Sequence, residues 1–591
     1  MEQQLQPMVV EAAGKFLVTT ALKETWPKNQ EILFLGEWCK IYFENENTFK
    51  KSYTLKYHWD DRKKLKRDYL YLDKLFEKLL IELATDLNNI HKTKFTVNYW
   101  RILIGPWLGY FTHIIYDRWY MINTALKDFT ELSTIILEID ETKLVPNDMT
   151  HFIDLFSSDL WNHFIYGKIN NELNISNVFY KKSNINQKSN KIRITFREKI
   201  KFLYSKFINK YSLDSSYLLI NTYLSKLNYF KLLFKLKVIP VPNGIFSIKT
   251  SKPSKIFRNF KINSKDRISE SNDFEAILRQ LIVTQIPICY VESFSELSKM
   301  SRTLNWPRSP KTIFTSNSHN SDDVFKQYTA RCIENNNTKL IIGQHGGNYG
   351  IGEFSFNEKH EIGICHKYLS WGWKSNDKKV LPIGQLMIKK SINVKSSKKQ
   401  HLLLVTAALP RYSYYIYSVM IASQWLYYFK DQCEFIDNLD NEIKRETIVR
   451  LFPTDYKWNQ AKRWKDKFPN IKINNAKKNI LVQLKTCRLF VSTYNATTYL
   501  ESISMNIPTV IYWDTSYWEL RDSAIPFFNK FRKAGIFHDS PSSAAAHINL
   551  IWENVDEWWN SVEVKSALHD FNNNYNKKPK DLVNKLFQII K

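Results

Sequence analysis

The chain has 591 residues, 44% of them hydrophobic and 15% aromatic, which excludes both a single ordinary core and disorder over most of its length. Its apolar runs are strand-length, its opening MEQQLQPMVVEAAGKF lacks the pattern of a secretory signal, and its six cysteines form no CxxC pair, so a reducing cytoplasm without disulfides, structural zinc or membrane spans is expected. A net charge of +27 calls for an anionic partner, either a phosphorylated substrate or an anionic membrane surface; nucleic acid is not expected, because no nucleic-acid module appears along the chain.

The first region covers about residues 15–243. Residues 16–20 read as a short apolar strand followed by a polar helix start, and 32–38 as a second strand, with Gly36-Glu37 in a loop at the carboxyl edge of an α/β sheet. Residues 60–91 have helical spacing, with Leu65, Leu72, Leu79, Leu83 and Leu87 on one face. A second helical stretch, 99–118, is expected to break at Gly105-Pro106, and the rest, about 150–243, reads mostly as the helices of a large insertion.

In the second region, 244–387, the strand-like runs are 288–291, 312–315 and 340–343, with a helix at 322–335. The last run ends in Gln344-His345-Gly346-Gly347-Asn348-Tyr349-Gly350, where glycines let the backbone approach a ligand and a His and a Gln can donate hydrogen bonds. Residues 368–373 read as another short strand. From about 398 the pattern repeats: a strand at 401–406, an amphipathic helix at 415–429 and a strand at 447–453 that contains Arg450. Residues 487–491 form a bounded apolar run that stops at Ser492-Thr493, whose hydroxyls and following N–H groups are expected to open a helix carrying Glu501. Asn506-Ile507-Pro508 then breaks that helix, 509–513 supplies the next strand, and helices close the chain over 544–591. Alternation on both sides of a boundary near 388–400 predicts two facing α/β domains, 1–390 on the acceptor side and 398–591 on the nucleotide-donor side, with function between them.

Several of these segments together resemble a family of transferases encoded in bacterial surface-polysaccharide clusters. They are Leu33-Phe34-Leu35-Gly36-Glu37-Trp38, Tyr57-His58-Trp59-Asp60-Asp61-Arg62, Tyr99-Trp100-Arg101, Gln344-His345-Gly346-Gly347, Ser370-Trp371-Gly372, Arg450-Leu451-Phe452-Pro453-Thr454-Asp455-Tyr456 and the stretch 491–513. One position departs from the pattern: Thr454 stands where a His is expected. The resemblance implies a GT-B-like fold of two facing Rossmann-like domains, similar to capsule-type and Kdo-type transferases. It also implies a cytoplasmic glycosyltransferase, metal-independent and without a cofactor, that moves a sugar from a nucleotide sugar, such as a CMP-nonulosonate, to a cell-surface glycan or lipid-linked acceptor. Two other readings stay open, a CDP-polyol phosphotransferase and a non-catalytic binding protein of glycan assembly.

Arg450 can fork onto a phosphate or pair with Asp455. Ser492, Thr493 and Asn495, with the helix they open, can hold the same phosphate, and Gln344 and Gly346 can contact the donor. Glu501 either accepts from ribose hydroxyls or lies on a solvated face. The general base is Glu37 first and His345 second. His58, Asp60 and Arg62 bind acceptor or serve as caps and ion pairs, while Trp100, beside Arg101, stacks on a sugar or packs in the core, as do Trp107, Trp371 and Trp373.

Overall fold

The computed structural model describes residues 14–28, 30–42, 52–175, 177–183, 215–241, 248–260, 262, 273–387, 401–477 and 479–591. The expected boundary at 388–400 lies outside them, as does 184–214 of the insertion.

Three sheets, all with parallel pairing, carry the α/β fold. The first joins β1 (Lys15–Val18), β2 (Ile32–Phe34), β3 (Ser52–Thr54), β4 (Leu132–Glu138) and β5 (Asn177–Lys182) in the order β3-β2-β1-β4-β5. The second joins β6 (Tyr217–Leu219), β7 (Thr312–Thr315), β8 (Lys339–Gly343), β9 (Lys367–Ser370) and β10 (Val380–Pro382) in the order β10-β9-β8-β7-β6. The third joins β11 (Leu402–Val405), β12 (Thr447–Arg450), β13 (Lys472–Asn474), β14 (Leu489–Ser492), β15 (Thr509–Tyr512) and β16 (Phe537–His538) in the order β13-β12-β11-β14-β15-β16. Strands β7, β11, β14 and β15 are buried along their whole length, as central strands covered on both faces must be.

The helices that position the site are α1 (Arg62–His91), α2 (Val97–Asp128), α3 (Lys226–Leu236), α4 (Asp323–Asn336), α5 (Phe356–Ile364), α6 (Trp425–Asp437), α7 (Thr497–Ser504), α8 (Val562–Tyr575) and α9 (Leu582–Ile590). Asp61 caps α1 by accepting from the Lys64 N–H, and its leucine stripe is buried as the spacing predicts.

Three local expectations are overturned, each by tertiary contact, and the insertion adds two strands. Helix α2 runs unbroken through Gly105-Pro106, because that part lies wholly inside the core. Residues 288–290 form a 3-10 turn instead of a strand, with the Ile288 and Cys289 N–H groups donating to the carbonyls of Pro146 and Asn147. The expected helix at 415–429 starts only at Trp425, since the Ser418 N–H and the Ile416 carbonyl are bonded across to Phe354 and Phe356 of the second-sheet domain. The insertion, expected to be mostly helical, also supplies β5 to the first sheet and β6 to the second.

The second- and third-sheet domains face each other along a seam. The Glu353 N–H donates to the Glu519 carbonyl (3.0 Å), and the Arg521 N–H to the Ile351 carbonyl (2.8 Å). The chain then crosses back: α9 packs Leu582, Leu586 and Ile590 against Leu219, Phe314 and Ile341 of the second sheet. The first-sheet domain is tied to the third-sheet domain by two ion pairs, Arg411 to Asp159, buried, at 2.6 Å and Arg62 to Glu519, partly buried, at 2.7 Å.

Candidate functional site

The third sheet reverses its strand order between β11 and β14, and a ligand of an open α/β sheet binds outside the carboxyl ends at such a reversal. Arg450 closes β12 beside this point and is 8% exposed. The expected partner Asp455 does not pair with it; that carboxylate accepts from the N–H groups of Asn459 and Gln460 instead. The Arg450 guanidinium bonds only neutral groups, Gln483 and, at 3.4 Å, Asn474, and makes no ion pair among the described residues. Burial lowers its pKa, with no carboxylate beside it to restore the charge.

Ser492 is the last residue of β14 and does not cap the next helix. Thr493 donates to the Val405 carbonyl at 2.9 Å, which locks β14 to β11. Helix α7 begins three to four residues later than expected, with Ala496 in the N-cap position and no side-chain cap on its first N–H groups. Asn495 is 3% exposed; its Oδ1 accepts from the Tyr499 hydroxyl at 3.2 Å, whereas its Nδ2 has no partner. Glu501 lies one turn along α7, partly buried.

Facing this edge is the loop after β8. The Gly347 N–H donates to Thr497 Oγ1 at 3.1 Å, and a Cβ on Gly347 would stand 2.6 Å from the Ala496 carbonyl carbon and oxygen. The glycine therefore serves close approach to the chain's own helix terminus. Gln344 was expected to touch the donor; instead it braces the loop, its Nε2 donating to the Gly346 carbonyl and its Oε1 accepting from the Trp371 N–H and Trp373 Nε1. That leaves no free hydrogen-bonding atom on its amide oxygen side for a ligand, and it buries both tryptophans.

His345 sits between Gln344 and Gly346, and α5 delivers Glu361 beneath it. Glu361 Oε2 lies 3.9 Å from His345 Nδ1, and neither atom has a hydrogen-bond partner. The other oxygen accepts from Tyr349 at 2.9 Å and lies 3.3 Å from His319 Nε2. Burial works against ionising Glu361, but the two histidines and the Tyr349 hydroxyl outweigh it and hold the carboxyl below its usual range. Burial likewise pushes His345 below the usual histidine range, against the pull of Glu361. The imidazole is then neutral at pH 7 and able to accept a proton. Neither Glu361 nor His319 was found from sequence; the Ser355-x-x-Glu358 pattern, whose serine does accept from the Glu358 N–H, was the signal for α5.

The remaining expected residues lie elsewhere. Glu37 pairs with Lys40 at 2.8 Å. The carboxyl edge beside it is plugged, because Trp38 folds back against Gly36 and donates to the Thr19 carbonyl while Trp26 donates to that of Thr20. His58 is buried between Asp117 (3.0 Å) and Lys64 (3.0 Å) and stacks on Tyr120, so no acceptor reaches it in this conformation. Asp60 accepts from Gln424, and Arg62 clamps Glu519, Gln424 and the carbonyls of Val419 and Tyr517, which joins α1 to the third-sheet domain. Trp100 is fully buried against His91 and Phe294, and Arg101 forks onto Glu77. Trp107 is likewise core. Indole rings and charged forks that read as sugar contacts are thus used for packing and for holding the domains together.

Among solved structures the chain is similar to the wall teichoic acid polymerase TagF, at 8% identity over 66% of this chain and 91% of that one, with a TM-score of 0.29. It is also similar to MurG of Acinetobacter baumannii, at 9% identity over 64% and 99% with a TM-score of 0.33, and to WaaG, a glycosyltransferase involved in lipopolysaccharide biosynthesis, at 9% over 51% and 95% with a TM-score of 0.25. At such scores the description of the fold rests on its own sheet order. No curated protein matches the sequence. The profile of one protein family, however, matches residues 15–590, nearly the whole chain, and the protein belongs to the LIC12162 family transferases.

Proposed function

We propose that this transferase moves a glycosyl group from a nucleotide-activated sugar to a hydroxyl of a surface glycan or lipid-linked acceptor at an anionic membrane face. The observation that carries the reading is the meeting of the His345 loop with the amino terminus of α7, with Arg450, which has no acidic partner among the described residues, at the same sheet edge. In the reaction the acceptor oxygen bonds to the anomeric carbon, the bond from that carbon to the donor phosphate breaks, and the phosphate leaves with the electron pair. The hydroxyl proton goes to neutral His345, and Glu361 beneath it stabilises the imidazolium that forms. The charge growing on the leaving phosphate is met by Arg450, by the uncapped N–H groups of α7 and by the Asn495 amide.

The test is donor turnover. Purified protein is screened for thermal stabilisation by CMP, UDP, GDP and dTDP sugars, with a CMP-linked nonulosonate tried first, and the best donor is assayed with and without acceptor. His345→Ala is expected to lose turnover by at least about 100-fold while still binding the nucleotide, the loss typical of a removed general base. A phosphopolyol increment on the acceptor by mass spectrometry, or full turnover by His345→Ala, overturns the reading.

A further inference from the structure

Helix α3 is apolar on two faces, and among the described residues only one of them has a partner. Leu232, Leu233 and Leu236 are buried against the second sheet and α9. Leu227, Phe230 and Phe234 recur at the spacing of one helical stripe on the outside and are 65%, 57% and 87% exposed. They border an open groove between α3 and the segment that leads into α9. A second apolar stripe on a helix whose first stripe is already buried needs a cover of its own, and exposed phenylalanines in a row are uncommon on a surface that meets only water.

The charge around the stripe is of one sign. From Ser215 to Pro240 the chain has no Asp or Glu, whereas Lys226, Lys231, Lys235 and Lys237 lie along α3. Across the groove, residues 579–591 add Lys580, Lys585 and Lys591 against one acidic side chain, Asp581, which accepts a hydrogen bond from Asn584, whereas Lys578 is turned away to the Ser504 carbonyl. Lys235 reaches over the ring of Phe587 at 5.1 Å, so its ammonium rides at the edge of apolar surface. Large apolar side chains ringed by lysines fit an interface with anionic headgroups outside and acyl chains within. A polyanion such as nucleic acid would use the lysines but leaves most of a continuous Leu and Phe stripe in water.

We propose that the outer face of α3, with the lysines flanking α9, is a docking surface for an anionic lipid bilayer, into which Leu227, Phe230 and Phe234 insert. The surface shares no residue with the transfer site, although Tyr223, just ahead of α3, lies 6.2 Å from His345 ring to ring, so vesicle binding and donor turnover are read in separate assays.

The test uses the full chain and vesicles of phosphatidylglycerol with phosphatidylcholine, against phosphatidylcholine alone. Because all six native cysteines are buried, Phe234→Cys can be labelled selectively with an environment-sensitive fluorophore. The label is expected to shift to the blue and be quenched by brominated lipid with anionic vesicles only. Phe230→Ser/Phe234→Ser is expected to lose insertion with an unchanged thermal midpoint. Lys226→Glu/Lys231→Glu is expected to weaken binding at least about 25-fold, a factor of roughly five per lysine near an anionic surface. Equal binding to neutral vesicles, unaltered binding by both double variants, displacement by single-stranded DNA at equimolar charge, or a label already buried or unreactive without vesicles would each overturn the proposal.

Discussion

Replacing Arg450 by Ala separates ligand binding from folding unusually well, because of what the guanidinium touches. Most buried arginines are half of an ion pair, and their removal strands a carboxylate at a cost of about 3–5 kcal/mol. Among the described residues Arg450 has only the amides of Gln483 and Asn474, and Asn474 Oδ1 keeps its bond from the Ala476 N–H at 2.9 Å when the arginine is gone. Its removal also relieves the cost of burying an uncompensated charge, so Arg450→Ala is expected to change folding stability by less than about 1 kcal/mol. A phosphate bound by that guanidinium loses a charge-assisted contact worth about 1.5–3 kcal/mol, or about 10- to 150-fold in affinity. Lys restores charge without the fork and should recover only part of it. Isothermal titration of CMP, CDP and UDP against the wild type, Arg450→Ala and Arg450→Lys, beside thermal midpoints of the ligand-free proteins, reads both quantities. Unchanged nucleotide affinity in Arg450→Ala refutes the assignment of this edge as the phosphate site; a large stability loss refutes the account of its surroundings.

Four further outcomes are expected. Arg62→Ala leaves the partly buried Glu519 without its cation and should destabilise the protein by about 1.5–3 kcal/mol, read as an earlier first transition in urea. Gly347→Ala forces a Cβ into the Ala496 backbone and should cost about 1–3 kcal/mol together with weaker nucleotide binding; an unchanged midpoint would mean that the loop moves freely. Glu361→Gln removes the carboxylate facing His345 and should lower that imidazole's pKa further, measured by NMR in the ligand-free protein; an unmoved titration counts against the pairing. Burial pushes Asp322, the N-cap of α4, up to about 7. Between pH 4 and 7 the folded state holds a proton that the unfolded chain has released, so this group's contribution makes stability fall as pH rises through that window. Asp322→Asn keeps the cap and should gain up to about 4 kcal/mol at pH 8 and almost nothing at pH 4, the difference read from thermal midpoints.

Bounded apolar runs were enough to locate most central strands, including β7, β8, β11, β12, β14 and β15, because a strand buried on both faces needs continuous hydrophobic sequence whatever surrounds it. The same local logic marked the loop after β8 and the turn after β14 as chemically distinct, and the structure joins these two segments through Gly347 and Thr497. Short strands on sheet edges, such as β3 and β13, carry too few apolar residues to stand out. The unbroken course of α2 was equally hidden, since local propensity at Gly105-Pro106 argues for a break and only burial against α5 overrides it: Gly109 lies where a Cβ would strike Phe356.

Side-chain use was the least legible level. Arg62, Arg101 and Arg450 look alike in sequence, and what separates them is the company each keeps. Arg62 meets Glu519, 457 residues away; Arg101 meets Glu77; Arg450 meets no carboxylate among the described residues. Likewise Trp38 and Trp100 fill the interior, and His345 acquires Glu361 only because α5 is turned back beneath its loop. The sequence alone determined where the chain is apolar enough to become strand and polar enough to turn, properties set within a few residues. Only the tertiary structure decided which charges are neutralised and which stay open to a ligand, because that depends on partners brought within a few ångströms from anywhere along the chain.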